Sequence, residues 1–257
     1  MVKPKKYLGQ HFLTDKNIAE KIVGCLKKNE PIVCEIGPGT GILTTPLLQN
    51  EHIKELHLIE IDEESVEYLQ SHYSDPRITI HQADFLKIPL ENITKSPFSI
   101  IGNFPYNIGS QIFFKVLEHR NQIPEVVGMI QKEVAERLAA GPGSKTYGIL
   151  SVLLQTWYHI EYCFTVNEQV FFPPPKVKSG VIRLMRNQTQ QIDCDEKLYF
   201  KVIKTAFNQR RKTLRNALKP LAVNGLPDHP LLSQRAEQLS IGEFVILTNL
   251  VSQTISC

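Results

Sequence analysis

Between residues 31 and 131, short apolar runs alternate with longer amphipathic stretches. PIVCEIG (31–37), ELHLIEID (55–62), ITIHQAD (78–84), FSIIGN (98–103) and EVVGMIQ (125–131) are rich in β-branched residues, and the spacing predicts five strands. Between them Ile42, Leu43, Leu47 and Leu48, then Val66 and Leu69, then IGSQIFFKVLEH (108–119) repeat at helical spacing. Strand–helix alternation of this kind predicts a parallel sheet with helices on both faces, and strands without clean alternation fit burial on both sides. Further on, YGILSVLLQTWY (147–158) predicts a helix. HIEYCFTV (159–166) and KSGVIRLMR (178–186) predict two strands around the turn-forming FFPPPK (171–176), an antiparallel hairpin closing the sheet. NQTQQIDCD (187–195) is polar and reads as a linker, and everything from Glu196 onward reads as helical. The pattern therefore predicts an α/β domain over 1–187 and a small all-α domain over 188–257, a division that 257 residues can support.

Bulk properties narrow the classes. No apolar run approaches the roughly 20 residues needed to span a bilayer. MVKPKKYLGQHFL lacks the apolar core of a secretion signal, so a cytoplasmic protein without a membrane role is expected. The five cysteines (25, 34, 163, 194, 257) form no CxxC pair, and with the scattered histidines they show no metal-ligand spacing; reduced thiols and no metal are expected. The net charge of +3 decides little, but its distribution is uneven. Lys3, Lys5 and Lys6 open the chain, and Arg210, Arg211, Lys212 and Arg215 cluster in FNQRRKTLRNAL (207–218). By itself that cluster is the solvated face of an amphipathic helix; beside a nucleic-acid chemistry it becomes a phosphate-binding face.

The strand ends carry that chemistry. In an open doubly wound sheet, ligands bind beyond the carboxyl ends of the strands. Here those ends read Glu35-Ile36-Gly37-Pro38-Gly39-Thr40-Gly41, Glu60-Ile61-Asp62, Ala83-Asp84 and Asn103-Phe104-Pro105-Tyr106. Glu60 falls about 20 residues past Gly37, where an acid takes the ribose hydroxyls of a nucleoside. The glycines run GxGxG rather than GxGxxG, and Pro38 removes one of the backbone donors that a pyrophosphate wants. The loop suits a neutral or cationic ligand tail better. Asp84 can accept from an adenine amino group.

This succession resembles the S-adenosylmethionine-dependent methyltransferases, and NFPY looks like the (N/D)-x-P-(Y/F) motif of enzymes that methylate exocyclic amino groups. YLGQHFLTD (7–15), EIGPGTGILT (35–44), NFPYNI (103–108), FFPPPKVKSGVIRL (171–184) and FNQRRKTLRNAL (207–218) together resemble the ribosomal RNA adenine N6-dimethyltransferase family. Within it they are most similar to the bacterial branch acting on two adjacent adenines of small-subunit (16S) ribosomal RNA. Phe104 stands where Leu is usual, and Gly109 and Gln111 replace the Ser and Pro often found there.

The resemblance implies a Rossmann-like class I methyltransferase sheet with a helical RNA-binding domain, a monomer acting on 16S ribosomal RNA in the immature small subunit. S-Adenosylmethionine is the implied cofactor, held by His11, Leu13, Gly37, Glu60, Asp84 and Asn103. Asn103, Phe104, Pro105 and Tyr106 would carry the target amine and base, with Phe171 as a second aromatic wall. Arg210, Arg211, Lys212 and Arg215 would contact RNA. Three other readings stay open on sequence: an NAD-dependent oxidoreductase, a large-subunit RNA adenine methyltransferase conferring macrolide resistance, and a non-catalytic ribosome assembly factor.

Overall fold

The computed structural model of the protein describes residues 2–27, 30–222 and 225–255. Nine strands alternate with helices among them: β1 (Phe12–Leu13), α1 (Lys16–Val23), β2 (Ile32–Ile36), α2 (Thr44–Leu48), β3 (Glu55–Glu60), α3 (Glu63–His72), β4 (Ile78–Gln82), β5 (Ser99–Asn103), α4 (Gly109–Glu118), β6 (Glu125–Gln131), α5 (Lys132–Ala139), α6 (Ile149–Trp157), β7 (Tyr158–Val166), β8 (Phe171–Phe172), β9 (Ser179–Arg186), α7 (Glu196–Asn208), α8 (Leu214–Ala217) and α9 (Ile241–Ile255). All five strands expected before residue 132 are present. The main sheet has the order β4-β3-β2-β5-β6-β9-β7. Neighbours from β4 through β6 pair in parallel, and β9 runs antiparallel to β6, Glu125 opposite Met185. Every residue of β2 is buried, as a central parallel strand covered on both faces requires.

Four elements lie outside the sequence reading: helices α1 and α5 and strands β1 and β8. Helix α1 is capped by Asp15, whose carboxylate accepts from the Ile18 N–H at 3.1 Å, and it buries Ala19, Ile22 and Val23 at i, i+3 and i+4 spacing. Helix α5 follows β6 with no intervening turn residue. Strands β1 and β8, distant in sequence, form a separate two-stranded antiparallel ribbon, Phe12 opposite Phe172 and Leu13 opposite Phe171. Beneath the sheet Leu47, Leu56, Leu58 and Ile101 are fully buried, so truncating any one to Ala costs about 2–5 kcal/mol.

The chain divides into two compact units. One comprises residues up to 135 together with 159–186; the other comprises 136–158 together with 187 onward. This differs from a single cut at 187/188. Residues 136–158 pack with the C-terminal helices, because the apolar face of α6 finds its partners there. Trp157 stacks on Phe200 with centroids 5.7 Å apart and meets Tyr199 edge-on at 6.3 Å, while Tyr147 meets Phe207 at 6.1 Å. In the same unit α7 is capped by Asp195, whose side chain accepts from the Leu198 N–H at 2.6 Å, and it ends at Asn208. FNQRRKTLRNAL is therefore not one helix: a turn over 209–212 separates α7 from α8.

Candidate active site

Strand order reverses direction at β2, with β3 and β4 on one side and β5 and β6 on the other. The crevice outside the strand ends at such a switch point is where open α/β sheets bind ligands. A cavity opens there, lined by apolar side chains with a few polar groups among them, as small-molecule sites are. Ile36, Gly37 and Gly39, then Ile59 to Ile61, Ala83 to Leu86, and Asn103 to Ile108 form its floor. Leu8 to Phe12 close it from above. That N-terminal segment is tied down at several points. The Lys5 ammonium pairs with Asp62, the Lys5 N–H donates to Gln10 Oε1 at 2.8 Å, and the Thr14 N–H donates to the Val170 carbonyl at 2.8 Å. His11 Nδ1 donates to the Pro173 carbonyl at 2.7 Å.

The glycine loop decides what kind of ligand fits. Gly37 has φ +65°, a conformation that L side chains avoid, and nothing lies within 4 Å of where its Cβ would stand, so a ligand can lie directly on this backbone. The amides of the three glycines are already used. The Gly37 N–H donates to the Ile59 carbonyl at 2.9 Å, the Gly39 N–H to Glu60 Oε2 at 3.0 Å and the Gly41 N–H to the Pro38 carbonyl at 2.8 Å. A pyrophosphate would find these three amides engaged and a carboxylate beside them, which argues against a dinucleotide. Glu60 is 3% exposed; its Oε1 accepts from the Ile61 and Asp62 N–H groups, both at 2.9 Å. Burial pushes its carboxyl up from the ordinary range, and those backbone donors offset part of the shift. On the next strand end, Asp84 Oδ1 accepts from the Leu86 N–H at 2.9 Å, and Oδ2 lies 3.5 Å from the Lys87 ammonium.

Across the cavity, Asn103 Nδ2 donates to the His11 carbonyl at 2.8 Å. That bond fixes the side-chain flip with the nitrogen toward His11, so the oxygen is the acceptor offered to a ligand. Phe104 is 1% exposed, with Phe113 edge-on at 5.9 Å. Its ring lies where a Cβ on Gly102 or Gly128 would stand 2.9 or 2.6 Å from it, so two glycines make room for it. With the ring so enclosed, the group that Phe104 can offer a polar ligand is its carbonyl. The Tyr106 hydroxyl shares a 2.7 Å hydrogen bond with the Ser179 hydroxyl, and its ring lies 5.6 Å from the His11 ring, inclined at 32°. Burial pushes the Tyr106 phenol up, so it is neutral.

The structure thus brings together His11, Gly37, Glu60, Asp84, Asn103, Phe104, Pro105 and Tyr106 around one cavity. Leu13 does not border it; it lines a small recess that shares Phe12, Gly37 and Asn103 with the main cavity. Phe171 departs from expectation: it is 4% exposed, packs in the core with Leu13 and lines neither space. The cause is strand alternation, because pairing with β1 turns Phe171 inward and leaves Phe172 61% exposed. Phe12, from the facing strand, borders both spaces instead; sequence reasoning misses it, since its partner lies far along the chain. Glu35 stands in the first of the strand ends named from the sequence, but with no role given to it there. It is 1% exposed, accepts from the Thr44 hydroxyl at 2.6 Å and borders the recess; burial pushes its carboxyl up to about 8.

The basic cluster lies in the second unit. Arg210 donates to the Ser144 carbonyl at 3.3 Å and approaches Glu237 at 3.7 Å, and Arg215 pairs with Asp228 at 2.8 Å, while Arg211 and Lys212 are exposed. Among the described residues no three His, Cys, Asp or Glu side chains are grouped to hold a metal, and no helix is long and apolar enough to cross a membrane. Cys25, Cys34, Cys163 and Cys194 are free thiols; Cys257 lies outside the described residues.

Comparison with known proteins agrees with this geometry. The family described as ribosomal RNA adenine dimethylase matches residues 1–252. "Ribosomal RNA small subunit methyltransferase A" of Parabacteroides distasonis is 57% identical, covering 98% of this chain and 95% of that protein. The protein of the same name from Cytophaga hutchinsonii is also 57% identical, covering 98% of each chain. Among solved structures, a dimethyladenosine transferase from Plasmodium falciparum superposes with a TM-score of 0.75 at 26% identity, covering 94% of this chain and 97% of the other.

Proposed function

The chain belongs to the ribosomal RNA adenine dimethylase family, and from that premise we propose that it dimethylates the N6 amino groups of two adjacent adenines in small-subunit (16S) ribosomal RNA. Immature small subunits are the substrate, and the protein acts as a cytoplasmic monomer. The observation that carries the reading is the orientation of Asn103, whose amide N–H is tied to the His11 carbonyl, which leaves its oxygen for a ligand in the switch-point cavity that Phe104 also lines.

The residues present fit S-adenosylmethionine. Gly37 leaves open space for the methionine portion, Glu60 has lone pairs beyond its three backbone bonds for ribose hydroxyls, and Asp84 stands at the adenine end. His11 bounds the methionine end from above, with Leu13 behind it in the recess. When bound, this cofactor supplies an electrophilic methyl group on a sulfonium.

Everything else is done by the chain. An adenine amino nitrogen is a poor nucleophile, because its lone pair is delocalised into the ring. The Asn103 side-chain oxygen and the Phe104 carbonyl accept its two N–H bonds and bias it toward a tetrahedral geometry, with the lone pair aimed along the transfer line. Pro105 keeps Phe104 extended, which holds that carbonyl in place. Tyr106, oriented by Ser179, stacks on the splayed base. Transfer is then mainly a matter of alignment, and no strong base is required because the nitrogen becomes acidic as it is alkylated. In the helical unit Arg210, Arg211, Lys212 and Arg215 hold RNA phosphates; Arg211, Lys212 and Arg215 are exposed and Arg210 is half-buried.

The test incubates the protein with labelled cofactor and, separately, unmethylated small-subunit particles and large-subunit RNA. Label in the small subunit, recovered as N6,N6-dimethyladenosine at two neighbouring positions, is expected. Label only in large-subunit RNA overturns the choice of substrate, and label in neither despite cofactor binding overturns catalysis.

A further inference from the structure

Lys115 lies on α4, outside the set of residues that line the cavity, and it is only 9% exposed. A buried ammonium is costly unless its protons are used. Its Nζ donates to the Phe85 carbonyl at 2.6 Å and to the Ile88 carbonyl at 2.5 Å, and it sits 5.0 Å from the centre of the Phe85 ring. Both carbonyls belong to the loop after β4, the loop that presents Asp84. That loop already makes a local turn: the Leu86 N–H bonds to Asp84 Oδ1, and the Lys87 and Ile88 N–H groups bond to the Asp84 carbonyl, both at 2.9 Å. Lys115 is the donor that reaches two of its remaining carbonyls from another element. Ala83, Asp84, Phe85 and Leu86 all border the cavity, so the clasp fixes one of its walls from behind. Burial lowers the proton affinity of the ammonium, while Asp84, Glu118 and Glu91 around it favour its charge.

We propose that Lys115 is a positioning residue for adenine recognition, clasping the 84–88 loop so that Asp84 meets the amino group of the cofactor's adenine. It joins the adenine end of the cavity to the helix that follows NFPY, so both ends of the site hang on one frame. The proposal rests on the adenine-binding role of Asp84, and its test separates the two. Calorimetry would compare S-adenosylhomocysteine with S-inosylhomocysteine, whose base lacks the 6-amino group, on the full-length wild-type protein and on Lys115→Met. Wild type is expected to prefer the adenosyl compound at least tenfold. Lys115→Met should weaken the adenosyl compound about tenfold and the inosyl compound less than twofold, so that the preference collapses. Loss of general stability would weaken both compounds alike and leave the ratio standing. A folded Lys115→Met protein with the wild-type ratio overturns the proposal. A wild type with no preference overturns the reading of Asp84 itself, and the clasp with it. If Lys115→Met fails to fold, Lys115→Gln, which keeps a donor able to reach one carbonyl, replaces it. An intermediate ratio is then expected, and an unchanged one refutes the clasp.

Discussion

Replacing Glu60 by Gln turns one oxygen of a buried carboxylate into an amino group and leaves its volume almost unchanged. Two backbone bonds survive on the remaining oxygen, those from Ile61 and Asp62 at 2.9 Å. The third, from the Gly39 N–H at 3.0 Å, is lost, because the new NH₂ faces a donor. One buried hydrogen bond to a charged group is worth about 1.5–3 kcal/mol. Part of that loss is offset, since burial already raises the carboxyl and a neutral side chain escapes the desolvation penalty. The net cost is about 1–2 kcal/mol of stability, or a melting temperature lower by about 2–8 °C for a chain of this size. Ligand binding suffers more. Ribose hydroxyls that met a carboxylate now meet a carboxamide whose oxygen is occupied, and about 1.5–3 kcal/mol of binding is lost, a weakening of roughly 10- to 150-fold. Calorimetry with S-adenosylhomocysteine, beside thermal unfolding of the same samples, reads both quantities. A folded Glu60→Gln protein that binds within twofold of wild type would refute the ribose role. Glu60→Ala is the poorer probe, because it orphans three backbone donors at once.

Asn103→Ala should leave cofactor affinity within about threefold and lower the single-turnover rate by a hundredfold or more, as expected when a group that acts on the transition state is removed; a rate within a few-fold of wild type would sink its role. Gly128→Ala sets a methyl 2.6 Å from the Phe104 ring and should cost about 1–3 kcal/mol in urea unfolding. Adding Phe104→Leu should recover most of that loss, and simple additivity in the double mutant would show that the ring is not the cause. Burial holds the Glu35 carboxyl at about 8 against an ordinary 4.5, so the unfolded chain releases its proton first as pH rises. Stability therefore falls between pH 4.5 and 8, by up to about 1.4 kcal/mol per unit, and Glu35→Gln should gain on wild type across that window; parallel pH profiles would contradict this. Neutralising Arg211 and Lys212 together should flatten the log–log salt dependence of RNA binding by about 1.4–1.8, since each phosphate no longer neutralised removes about 0.7–0.9 from the slope. An unchanged slope would remove both residues from the interface.

The sequence alone determined the parallel part of the sheet and the order of ligand-bearing strand ends, because both are written in short range. A buried strand is a run of β-branched residues, and the residues just past its carboxyl end face the crevice. Gly37, Glu60, Asp84 and Asn103 could be named for that reason, and they do surround one cavity. Contacts between segments far apart in the chain were decided only by the tertiary structure. Pairing of Phe12–Leu13 with Phe171–Phe172 set which aromatic turned inward, and no local pattern encodes that register. The apolar run at 147–158 predicted its helix correctly, yet its partners Tyr199, Phe200 and Phe207 lie some 50 residues on, so its allegiance to the C-terminal unit could not be read from its own composition. The same holds for electrostatics. Glu35 and Lys115 look like ordinary charged residues in the sequence. Burial, which depends on everything packed around them, makes the Glu35 carboxyl hard to ionise and leaves the Lys115 ammonium clasping a loop.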